Sequence, residues 1–150
     1  MADDLWRNLV VGHASGLPES VHLSNFPEVD EACIDRALAD GETFAVGNHR
    51  LKAYHTPGHT PDQMCIAIEE DDRIVVGDTV FEGGPGKTWT PGDFQITLDT
   101  LRRVILAWPD GTRCYPGHGS PFRLSDIRSD IESFISKDHG RFYGDATWGM

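Results

Sequence analysis

The amino-acid sequence predicts an α/β domain, on three observations. Short apolar runs bounded by Gly, Pro, Asn and Asp recur between residues 43 and 77, as strands do. Two later stretches place apolar residues at helical spacing, with polar residues between them. A single strand-like run, Thr112 to Tyr115, separates those two stretches, so strands and helices alternate. At 150 residues and 39% hydrophobic, the chain is sized for one domain with a real core, and residues 1–150 are read as one.

Residues 1–27 mix turn formers (Gly12, Gly16, Pro18, Pro27) with short apolar pieces and show no sustained period. From Glu28 to Asp40, Val29, Ala32, Cys33, Ala37 and Leu38 fall at helical spacing before Gly41, predicting a helix. Thr43 to Val46 and Arg50 to His55 flank Gly47-Asn48, a pair suited to a tight hairpin turn. After the loop Thr56-Pro57-Gly58-His59-Thr60-Pro61, Met64 to Glu69 and Arg73 to Gly77 read as strands joined by the acidic turn Glu70-Asp71-Asp72. Glu82 to Gly92 reads as a loop. Asp93 is expected to start an amphipathic helix running through Phe94, Leu98, Leu101, Val104 and Ile105 to Trp108 and ended by Pro109-Asp110-Gly111. After the strand at Thr112 and a loop from Pro116 to Pro121, Ser125 is expected to cap a last helix with the stripe Ile127, Ile131, Phe134, Ile135.

Composition excludes several classes of function. Thirteen basic against 24 acidic residues give a formal net charge of −11, which repels phosphate backbones and anionic lipid, so neither nucleic acid nor a membrane is expected as a partner. No run approaches the roughly 18 apolar residues of a membrane helix. The N-terminus shows no basic-then-apolar leader pattern. Cys33, Cys65 and Cys114 are odd in number and widely spaced, which fits neither a disulfide framework nor a cysteine zinc site and suits a reducing cytoplasm.

Three residues able to bind metal sit just beyond predicted strands in Gly- or Pro-rich loops: His59 in TPGHT, Asp78 in VVGDT and His118 in YPGHG. Loops at strand ends are where a rigid sheet presents functional groups. Two imidazoles and a carboxylate are a coherent zinc set, because Zn²⁺ accepts nitrogen and oxygen ligands at roughly 2.0–2.2 Å. Singly, each would read as a solvated loop histidine or a turn-forming aspartate. His49, His55 and His139 have no partner at a recognised spacing, although His55, just before the TPGHT loop, is placed to hydrogen-bond a ligand. Cys65 and Cys114 lie in apolar strands, where thiols act as small hydrophobes, and Trp108 reads as core.

The motifs TPGHTPDQM, VVGDTVFEGGPGK and CYPGHGSPF, in that order, resemble the second half of metallo-β-lactamase superfamily hydrolases of the glyoxalase-II-like branch. The resemblance runs from about Asp35 to Leu124 and implies an αββα sandwich with metals at one edge, of which this chain carries the second half. By resemblance, His59 serves a first zinc, His118 a second, and Asp78 bridges both and takes part in catalysis by positioning the reacting water; one or two ions are implied, with iron or manganese as alternatives to zinc. Lys87 and Trp89 lie where relatives contact substrate.

The family's HxHxDH motif is absent from the chain. His13 and His22, nine residues apart and without an adjacent Asp-His pair, are the nearest substitutes. The sequence thus reads as a partial domain lacking the HxHxDH region, with weak or single-metal occupancy expected. The implied activity is metal-dependent hydrolysis of a small ester, thioester or lactone. An aspartate at 78, where common zinc β-lactamases carry cysteine, argues against a β-lactam substrate. The alternative is a non-catalytic half-fold that self-associates or binds a protein through an uncovered sheet. A homo-oligomer is expected on either reading, because bare apolar faces and free strand edges invite association.

Overall fold

The computed structural model describes residues 38–150. Two short strands, β1 (Thr43–Val46) and β2 (His49–His55), pair antiparallel with Val46 opposite His49, which leaves Gly47-Asn48 as the turn anticipated from the sequence. β3 (Met64–Ile68) pairs antiparallel with β2, and β4 (Arg73–Gly77) with β3. In the tight turn between them the Asp71 carboxylate accepts from the Arg73 backbone N–H at 3.0 Å and pairs with its guanidinium, which holds the Asp71 pKa down at about 2. The described sheet has six strands, ordered β1-β2-β3-β4-β7-β8, where β7 is Arg113–Pro116 and β8 is Phe122–Arg123.

Strand direction places the candidate residues. β2 and β4 are each antiparallel to β3 and so run the same way, and β7 runs parallel to β4. The C-terminal ends of β2, β4 and β7 therefore leave the sheet at one edge. His59, Asp78 and His118 follow those three ends in the chain. A parallel β4–β7 pair requires a long crossover, and helix α1 (Pro91–Arg103) supplies it.

Helix α1 spans Pro91–Arg103 and starts earlier than the sequence reading had it. Thr90, not Asp93, is its cap: the Thr90 hydroxyl accepts from the Asp93 N–H at 3.1 Å, and proline at the first helical position needs no partner for a missing N–H. The helix ends at Arg103 and gives way to a 3-10 turn, Ile105–Ala107, before Trp108. Helix α2 spans Leu124–Ser136; Ser125 lies inside it and bonds to Asp126 instead of capping, and the N-cap position falls on Arg123 without a side-chain bond. Two short elements were not anticipated: β8, and a small hairpin of β5 (Val80–Phe81) and β6 (Gly84–Pro85), of which only β6 falls inside the loop expected from Glu82 to Gly92. The helix anticipated from Glu28 to Asp40 lies mostly outside the described residues. Its end does not continue as helix, since Leu38 sits in a β-bridge and Asp40 in a turn that leads into β1.

Strand alternation divides the apolar residues between two faces. Cys65 and Ala67 of β3, Val76 of β4, Cys114 of β7 and Phe122 of β8 face α1 and α2, where Phe94, Leu101, Ile131 and Phe134 are buried. Met64 and Ile66 belong to a second cluster with Leu38, Leu51 and Ala53, against which Phe44, Val46 and Ile68 pack. Leu51 and Ile66 are each 1% exposed at the centre of this second cluster.

A polar knot lies under the edge that carries the three loops. Buried Thr56 and Thr79 touch through their hydroxyls at 3.1 Å, and the Cys65 thiol lies 3.3 Å from the first and 3.5 Å from the second. Thr56 begins the His59 loop and Thr79 follows Asp78, so the knot fixes one loop to the other. Burial pushes the Cys65 thiol up to about 11, and that of Cys114 up to about 12.

Two outcomes follow for stability. Leu101→Ala removes a fully buried side chain and should cost about 2–5 kcal/mol, whereas Ile96→Ala on the exposed side of the same helix should stay within about 0.5 kcal/mol, as read by urea unfolding. The buried thiols remain protonated in the native state at a pH where those of the unfolded chain, near 9.0, ionise. Their contribution to stability is therefore whole below about pH 9 and is lost as pH rises toward 11. A Cys65→Ala/Cys114→Ala protein should show a shallower fall in urea midpoint over that range than the parent.

Candidate metal centre

Each of the three loops is tied down by its own bonds. The His59 loop closes where the Thr56 N–H donates to the Gln63 carbonyl at 2.8 Å and that of Gly58 to the Thr60 carbonyl at 3.2 Å. Helix α1 reaches it through the Thr100 hydroxyl, which donates to the Pro57 carbonyl at 2.7 Å. The bond from His55 to a ligand that the sequence suggested is not made: His55 Nε2 lies 2.9 Å from the Pro61 carbonyl and so braces the loop instead. Asp78 sits in a tight turn closed by the Thr79 N–H on the Val76 carbonyl at 3.1 Å. The His118 loop is hooked to the end of β4 by the Gly117 N–H on the Gly77 carbonyl at 3.0 Å.

These ties bring the three side chains together around one carboxylate. His59 Nε2 lies 3.6 Å from Asp78 Oδ2, and His118 Nε2 lies 3.9 Å from Asp78 Oδ1. Both separations are too long for hydrogen bonds. They are close to the ~3.4 Å that two ligands at about 2.1 Å hold across a tetrahedral ion. Asp78 Oδ1 is buried and has no hydrogen-bond partner among the described residues, a costly state for a carboxylate oxygen unless a cation faces it. Each histidine addresses a different oxygen, the arrangement of a bridging carboxylate. Among the described residues, however, no group of three or more His, Cys, Asp or Glu side chains closes around one point. The residues present thus fit a metal in pairs and leave each pair short of a full ligand set.

The orientation of His59 is chemically fixed. Its Nδ1 lies 2.8 Å from the carbonyl oxygen of Lys87, which can only accept, so Nδ1 carries a proton and Nε2 is turned toward Asp78. A ligand histidine is commonly held this way by a backbone carbonyl. His118 is held by stacking, its ring 4.4 Å from that of Phe81 and tilted by 25°. Two glycines make room for Asp78: a Cβ at Gly117 would collide with Oδ1, and one at Gly86 with the Asp78 carbonyl.

Lys87 and Trp89 lie at the rim. The Lys87 ammonium is 3.2 Å from Asp145 and 5.3 Å from the centre of the Trp89 ring. The Trp89 indole donates to the His59 carbonyl at 3.2 Å while its ring is 60% exposed. The Lys87 carbonyl, Phe81 and Asp145 were missed by sequence reasoning. A backbone acceptor has no residue signature, and the other two come near the site only through the β5–β6 hairpin and the fold-back of the C-terminal segment. His13 and His22 lie outside the described residues.

Residues 4–118 match the family model described as the metallo-beta-lactamase superfamily. A hydroxyacylglutathione hydrolase from Nitrosococcus oceani is 39% identical over 87 residues, 57% of this chain and 33% of that protein. An atrochrysone carboxyl ACP thioesterase from Aspergillus fumigatus is 33% identical over 139 residues, 86% of this chain and 41% of that protein. Among solved structures, ETHE1 from Myxococcus xanthus superposes with a TM-score of 0.61 at 25% identity, over 71% of this chain and 49% of that one. TTHA1623, solved in a di-iron-bound form, gives 0.53 at 30% identity, over 62% of this chain and 45% of that one. The chain spans a third to two fifths of the length of these two curated relatives. By its motifs, its sheet and the match over residues 4–118, the chain belongs to the metallo-β-lactamase superfamily and is of its glyoxalase-II-like kind.

Proposed function

We propose that the chain carries the second half of a metal-dependent hydrolase site for a small ester, thioester or lactone, with His59, Asp78 and His118 as its metal ligands. The observation that carries this reading is the Asp78 carboxylate, flanked by an imidazole on each oxygen and with Oδ1 buried and unbonded. Hydrolases and thioesterases among the relatives support the reaction class, and a di-iron neighbour supports a pair of ions, zinc being the first expectation and iron or manganese the alternatives.

When bound, a divalent metal supplies Lewis-acid polarisation of a carbonyl and an ionised water near neutral pH. The chain's own residues do the rest. His59 offers Nε2 because Lys87 holds its other nitrogen, and Asp78 places negative charge between the two imidazoles. Exposed Trp89, anchored on the His59 backbone, offers a flat apolar surface for the acyl part of a substrate. The Lys87 ammonium, already paired with Asp145, is less available to an anionic group.

A second reading is favoured by one observation, the failure of any three donors to converge among the described residues. On that reading the chain is a catalytically silent half-fold. Metal per chain, measured by elemental analysis on protein equilibrated with zinc and desalted, separates the two. The hydrolase reading expects retained zinc that falls several-fold in His59→Ala and His118→Ala and furthest in Asp78→Ala, with hydrolysis of simple thioesters falling in step. Zinc absent from the parent, or unchanged in Asp78→Ala, would refute the ligand assignment.

A further inference from the structure

The loop that orients His59 is held from behind by the C-terminal segment. On one side of residues 82–89, the Lys87 carbonyl accepts from His59 Nδ1, the Trp89 indole donates to the His59 carbonyl, and the Gly86 N–H donates to the Thr79 carbonyl at 3.1 Å. On the other side, residues 144–148 run against the same loop. The Thr88 N–H donates to the Gly144 carbonyl and the Gly144 N–H donates back to the Thr88 hydroxyl, both at 3.1 Å. Asp145 pairs with Lys87. The Trp148 N–H donates to the Gly83 carbonyl at 3.2 Å, and its indole donates to the Glu82 carbonyl at 2.9 Å. The Trp148 ring is buried and meets Phe134 of α2 edge-on at 5.4 Å, which anchors the strap in the helix core. Ala146 is buried against Gly84 so closely that a Cβ there would strike its carbonyl.

We propose that residues 144–148 are a positioning strap for the metal centre. By clamping residues 82–89 they hold the Lys87 carbonyl where it selects the Nδ1–H form of His59 and aims Nε2 at Asp78. The strap's hydrogen bonds and ion pair go to residues 82–88 and not to His59, Asp78 or His118; it acts through Lys87. Loosening it frees the carbonyl to drift, and His59 then samples both tautomers and other ring orientations. A carbonyl support of this kind is worth about 10–100-fold in metal affinity. The proposal rests on the assignment of His59 as a ligand only for its effect on metal, not for its effect on the imidazole.

Two variants test it without altering a ligand. Gly84→Ala drives a methyl group into the Ala146 carbonyl, and Trp148→Phe keeps a ring against Phe134 while deleting the bond to Glu82. Long-range ¹H–¹⁵N spectra of the metal-free protein read the His59 tautomer, and zinc titration against a chromophoric chelator reads affinity. The expected result is a single Nδ1–H form in the parent, mixed tautomers in both variants, and zinc bound at least ~10-fold more weakly, with α1 and α2 retained by circular dichroism. A folded variant with the parent's tautomer and zinc affinity would overturn the strap, and if Gly84→Ala fails to fold, Trp148→Phe alone decides. A parent that binds no zinc but whose His59 tautomer becomes mixed in the variants would leave the strap standing and remove the metal reading.

Discussion

The parallel pairing of β4 with β7 is the constraint on which the rest of the site depends. Two strands running side by side in one direction release their chains at one edge, and here those chains carry Gly77-Asp78 and Pro116-Gly117-His118. The bond from the Gly117 N–H to the Gly77 carbonyl extends the pairing past the strand ends. It brings Gly117 against Asp78 Oδ1, an approach only glycine permits. The crossover that parallel pairing demands is α1, whose Thr100 reaches back to the His59 loop, so the connection also serves as a brace.

Around that edge the chain excludes alternatives by close contact. The Thr56–Thr79–Cys65 knot lies beneath the loops, the β5–β6 hairpin and Lys87 lie on one flank, and Phe81 stacks on one face of the exposed His118 ring. Burying polar groups in such a knot is tolerable only because each finds a partner. Asp78 Oδ1, beside the knot, has no such partner among the described residues, and the His118 imidazole stands 3.9 Å from it. A buried carboxylate oxygen left unbonded between two imidazole-bearing loops points to a site built for something other than packing.

Much of this was legible in the sequence. The β1–β2 hairpin followed from Gly47-Asn48 between two alternating runs, and β3 and β4 from apolar stretches around an acidic turn, because these are local signals. The three candidate ligands were found from their position after strands, and their gathering at one edge follows once strand directions are known. What could not be read was long-range. β8 and the β5–β6 hairpin are two-residue strands with no period to detect, and their pairing depends on the chain returning from elsewhere. The start of α1 was misplaced because Asp93 and Thr90 are both good caps, and the proline at the first helical position decides for Thr90. The end of the chain, polar and rich in turn formers, gave no hint that Trp148 is buried or that residues 144–148 grip the loop behind His59.

The central claim is that Asp78 stands between two metal-binding imidazoles. Anomalous difference density from a crystal of the zinc-loaded protein, recorded on both sides of the zinc absorption edge, tests it most directly. The expected result is a peak within bonding distance of an Asp78 oxygen and of His59 Nε2 or His118 Nε2, with His59 Nδ1 still on the Lys87 carbonyl. A zinc peak away from all three residues, or none in protein shown by elemental analysis to carry zinc, would contradict the account.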